Sequence, residues 1–174
     1  MNIDQSEECV SVGVLVMVRL GNGADYLEEL TKSERLHEQS LVAVMKNREE
    51  YKAILSSSAS QNLTEIIATV ILAWELADGV NGIETGDVLV VAWEHHPRLV
   101  ASWFGSKPES MNRWLRSQDF LFNGLSETGS FGEAEKIRMK IIAALESEKV
   151  SGSETIAAYL QVLNNLEVPN WQNN

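Results

Sequence analysis

Glu94, His95 and His96 stand in a row and form the densest group of catalytic residue types in the 174-residue chain. A carboxylate beside two imidazoles can serve as a general acid–base set, or it can supply metal ligands. Used in that way, the cluster would make the chain a small metal-dependent or acid–base hydrolase. Local geometry works against this use. Neighbouring side chains point to opposite faces of a strand and stand about 100° apart on a helix, so neither form aims both rings at one atom. A further ligand must come from His37 or Cys9, the third imidazole and the single thiol. The competing reading is a polar tip ahead of Pro97. His37 falls near the face of Leu41 and Val44 and reads as a boundary residue. Cys9 opens an apolar run and reads as a small buried hydrophobe. The chain has no G-x-S-x-G, Walker A, G-x-G-x-x-G or H-E-x-x-H motif, so neither cofactor nor metal is expected.

Charge is the second chemical signal. The chain carries 25 acidic and 14 basic side chains, for a net charge of −11. This excludes binding to nucleic acid through a broad basic face. Residues 1–87 hold 15 acidic and 6 basic side chains, and residues 88–174 hold 10 and 8. Between Lys52 and Arg98 there is neither Lys nor Arg, while Glu65, Glu75, Asp78, Glu84, Asp87 and Glu94 all fall there. If folding groups these carboxylates on one outward wall, they steer the protein to a basic partner. Ordinary solubility is the plainer use of a negative surface.

A third group is Arg113, Trp114 and Arg116. Trp and Arg dominate binding hot spots, which makes this a candidate contact patch. The alternative is an inward Trp flanked by solvated arginines.

These side chains must be positioned by local structure. Val10–Leu20, rich in β-branched residues and ended by Gly21-Asn22-Gly23, predicts a buried strand. Thr31–Leu55 predicts a helix opened by the Thr31/Glu34 pair, with Leu41, Val44, Met45 and Leu55 inward. The serine run 56–60 ends it. Asn62–Ala77 predicts a central helix capped by Asn62 and closed by Asp78-Gly79 and Asn81-Gly82. Val88–Phe104 fits either a β-hairpin or a helix from Asp87 broken at Pro97; length and valines favour strands. Three helices follow: Ser106 to about Gln118, one starting at Ser130 and one starting at Ser151. Ile137, Ile141, Ala144 and Leu145 face inward on the second, and Ile156, Tyr159, Leu160 and Leu163 on the third. Phe122–Gly132, with three glycines, reads as a loop. No internal repeat is visible.

The expected fold is α+β: one predominantly helical domain over residues 1–168, a small sheet of about three strands, and a polar tail at 169–174. An acidic N-terminus argues against a secretory signal, and no run reaches the roughly 20 apolar residues of a membrane span. With one cysteine, a cytoplasm fits, that of a host included if the chain comes from a phage or mobile element. Leu27–Lys46, LEELTKSERLHEQSLVAVMK, resembles the opening of helical tail-assembly chaperones of long-tailed phages. It consists of common helix formers, so no residue role is carried over. The expected function is a non-enzymatic, acidic protein-interaction module: an inhibitor, immunity protein or assembly factor docking on a protein with a basic patch. Glu65, Glu75, Asp78, Glu84, Asp87, Arg113, Trp114 and Arg116 would meet the partner. The hydrolase and a helical subunit or phage-type assembly chaperone are the alternatives.

Overall fold

A computed structural model describes residues 34–57, 62–128, 131–148 and 153–168. In chain order its helices are α1 Glu34–Lys46, α2 Arg48–Ser56, α3 Leu63–Leu76, α4 Gly79–His95, α5 Pro97–Gly105, α6 Pro108–Arg116, α7 Gln118–Thr128, α8 Phe131–Glu148 and α9 Glu154–Asn165. No strand occurs among the described residues, which corrects the α+β expectation to a helical bundle. The predicted strand Val10–Leu20 lies outside the described residues.

The largest correction is Val88–Phe104, where the strand-like valines are helical. The helix begins at Gly79 rather than Asp87, breaks at His96 and restarts at Pro97. A residue before proline is pushed out of the helical region, and proline itself suits the first helical position. His96 accordingly takes φ −137° and ψ 48°. The apolar run reads like a strand because α4 is enclosed: Val88, Leu89, Val90, Ala92 and Trp93 are all buried. A helix surrounded on most sides loses the polar face by which periodicity is recognised.

The long N-terminal helix is two helices. Asn47 interrupts it with φ −124° and ψ 32°, and its Nδ2 donates to the Ala43 carbonyl at 3.3 Å. On the predicted inner face, Val44 and Leu55 are fully buried, and Leu41 and Met45 partly so. Asn62 precedes α3 but makes no side-chain cap. Gly79, with φ +46°, supplies the turn into α4, and Asn81-Gly82 lies inside that helix. The segment read as a glycine loop holds most of α7. Ile156, Tyr159, Leu160 and Leu163 are buried on α9 as the spacing predicts. Its cap is Ser153 rather than Ser151, accepting from the Ile156 amide at 3.4 Å.

Helix α4 is the organising element, packing against α2, α3, α7 and α8. The α4–α7 contact is close because each helix offers a glycine to the other. Gly86 faces the Leu121 side chain and Gly124 faces Ile83. At the other end of the core, Phe104 is ringed by tryptophans. Trp93 stacks on it at a centroid distance of 5.7 Å and an interplanar angle of 5°. Trp103 and Trp74 meet it edge-on at 5.1 and 6.1 Å, and Trp114 stacks at 6.2 Å. Offset and edge-on pairs such as these add about 0.5–1.5 kcal/mol each beyond area burial. Among the described residues, no helix is long and apolar enough to cross a membrane.

Candidate functional site

Glu94, His95 and His96 straddle the α4–α5 break, and each turns to a different neighbour. The His96 Nε2 lies 2.7 Å from the Leu55 carbonyl in the last turn of α2. A carbonyl only accepts, so the imidazole donates and satisfies one of the orphan groups of a helix end. His95 is exposed, with its ring centroid 6.3 Å from that of His96. Glu94 pairs with Lys140 on α8 at 3.1 Å and lies 3.7 Å from the His95 Nε2. The two imidazoles do not converge on a point. Among the described residues, no three His, Cys, Asp or Glu side chains gather as metal ligands. Cys9 lies outside the described residues. Glu94 and His96 thus fasten α8 and α2 to the helix break.

The carboxylates of the stretch without Lys or Arg are drawn into helix-to-helix contacts. Arg48 and Lys52, one turn apart on α2, face Glu84 and Asp87, one turn apart on α4. Arg48 Nη1 meets Glu84 Oε1 at 3.1 Å, and Lys52 Nζ pairs with Asp87. Glu75 ties three helices together: Oε2 lies 3.3 Å from the His37 Nε2 on α1, and Oε1 accepts from the Ser110 hydroxyl on α6. Side-chain exposure is 13% for Glu75, 17% for Glu94, 19% for Asp87 and 34% for Glu84, so these charges are half-buried rather than presented as a wall. Glu65, in the first turn of α3, is partly buried, and that burial raises its pKa above the usual carboxylate value. Asp78 alone of the six is exposed.

The Arg113–Trp114–Arg116 group is split by helical geometry. Trp114 is fully buried, edge-on to Trp74 at 5.2 Å. Arg113 donates to the Glu75 and Ala77 carbonyls at the end of α3, with its guanidinium 4.7 Å from the Trp74 ring. This closes the C-terminus of α3 with a cation, where the helix dipole favours one. Arg116 is exposed, and among the described residues it bonds within its own helix, Nε donating to the Asn112 carbonyl at 3.2 Å.

Deeper polar contacts follow the same pattern of tying helices together. Gln118 is buried; its Nε2 donates to the Trp114 carbonyl at 2.8 Å, and its Oε1 accepts from the Tyr159 hydroxyl at 2.9 Å. Burial holds the Tyr159 phenol well above its usual pKa. Arg138 on α8 forks onto Glu135 and donates to the Leu163 carbonyl at 2.7 Å, lowering the Glu135 pKa. Surface recesses lie between the described helices. One, of about 440 Å³, runs between the α6–α7 junction and α9 over Leu115, Ala158 and Val162. Another, of about 350 Å³, lies at the α1–α2 break beside Glu84.

Sequence reasoning missed the α2–α4 ion pairs and the Glu75 junction. The signal for the first was available: Arg48/Lys52 and Glu84/Asp87 are both at helical spacing, four and three residues apart. Nothing in the sequence couples Ser110 or His37 to Glu75. Compared with known protein families, curated proteins and solved structures, the chain matches none.

Proposed function

We propose that this protein is a non-enzymatic, acidic interaction module that docks on a basic protein surface, in a reducing cytoplasm or that of a host. One observation carries the reading: several exposed carboxylates are left without counter-ions among the described residues, while four cations are held by the fold. Arg48, Lys52, Arg113 and Arg138 are engaged with other parts of the chain. Asp78, Asp119, Glu127 and Glu146, by contrast, are exposed and make no ion pair with a described residue. On a chain of net charge −11, these exposed carboxylates favour electrostatic steering to a cationic partner. Of the residues expected to meet that partner, Asp78 and Arg116 stand in the open.

The test begins with capture of partners from the source-cell lysate at low salt. Each captured protein is then titrated calorimetrically across a salt series. Between about 0.05 and 0.5 M salt the Debye length shrinks severalfold, and the affinity should fall with it. An affinity indifferent to salt, or unchanged when Asp78, Asp119 and Glu127 are made amides, would overturn electrostatic docking.

A second reading, a helical subunit or phage-type assembly chaperone in a larger complex, draws on the α3–α4 corner. There Leu76 is 45% and Val80 70% exposed, side by side with Asp78. Exposed apolar groups grouped at a corner favour association. For self-assembly, sedimentation should show concentration-dependent oligomers that Val80→Asp dissolves. A monomer at every concentration would remove that form of the reading.

A further inference from the structure

We draw no further inference here: the strongest candidate, the recess between the α6–α7 junction and α9 floored by Leu115, Ala158 and Val162, is an unpartnered face, and nothing in the structure shows what covers it.

Discussion

Gly124 and Ile83 meet so closely that a methyl group on the glycine would stand 2.7 Å from the isoleucine Cδ1 and 3.0 Å from both its Cγ atoms. The reciprocal contact, Gly86 on Leu121, would bring a Cβ to 2.8 Å from a leucine methyl. Two glycines that weaken their own helices thus set the spacing between α4 and α7.

Substituting these glycines separates packing from helix propensity. Gly82, on the same helix, has only the Ala77 carbonyl nearby, at 3.9 Å. Gly82→Ala should therefore stabilise by up to about 1 kcal/mol. Gly124→Ala should destabilise by about 1–3 kcal/mol, because β-branched Ile83 is stiff and cannot turn aside. Gly86→Ala should fall between them, since the Leu121 methyls have more freedom. Urea unfolding of the three variants measures this order, and equal effects would refute the close-packing account.

Phe104 is the centre of the tryptophan ring, and its loss should be felt throughout the core. Phe104→Ala should cost about 3–5 kcal/mol. Phe104→Leu, which keeps most of the volume but loses the ring stacking, should cost less. Denaturant midpoints, read together with near-ultraviolet circular dichroism, test both. A small loss for Phe104→Ala would mean that the core does not depend on this hub.

The α2–α4 ion pairs should differ in worth according to their burial. Lys52 and Asp87 are 22% and 19% exposed, whereas Arg48 and Glu84 are each about a third exposed. Asp87→Asn leaves the half-buried Lys52 ammonium with only the exposed Glu49 carboxylate, 3.5 Å away, and should cost about 1–3 kcal/mol, between the buried and surface limits. Glu84→Gln should cost below about 1 kcal/mol. Double-mutant cycles with Lys52→Met and Arg48→Met isolate the pair energies, and the inner pair should show the larger coupling.

Two groups give opposite pH signatures. The Glu135 pKa is lowered by its hydrogen bond from Arg138. The stability it adds is present above the unfolded carboxylate pKa of about 4.3 and is lost as pH falls through the folded value. Glu135→Gln should flatten that part of the acid-unfolding curve, by a small amount because the carboxylate is a third exposed. The Tyr159 phenol is pushed up by burial, so its neutral form adds stability that is lost as pH rises past about 10, where the unfolded phenol ionises. An absorbance titration should show one phenol, removed by Tyr159→Phe, that ionises only on unfolding. Its ionisation at the normal pH in the folded protein would contradict the burial.

How much of this was legible depends on whether a helix keeps a polar face. Helix α9 does, and Ile156, Tyr159, Leu160 and Leu163 repeat at a spacing that only a helix explains. Helix α4 does not show one through its apolar run: Val88, Leu89 and Val90 are buried in succession, and β-branched runs of that kind look the same in a strand. Helix α7 was hidden differently. Gly124 and Ser126 are loop-like residues by type, but both are buried here, and Gly124 is chosen for the approach of Ile83. At the candidate site, the local spacing already argued that His95 and His96 would diverge, and their rings do. The destinations of Glu75 and Arg113 were not legible, because each depends on a partner 35 or more residues away with no matching pattern in the sequence.

The ladder that joins α2 to α4 makes the chain hard to divide and easy to rejoin. A cut between Ser57 and Asn62 would place Arg48 and Lys52 on one fragment and Glu84 and Asp87 on the other, parting each cation from its α4 carboxylate beside a freshly bared apolar flank. Fragments of that kind carry the instructions for finding one another, so the connection between α2 and α3 is the natural place to build a split, self-complementing version of this protein.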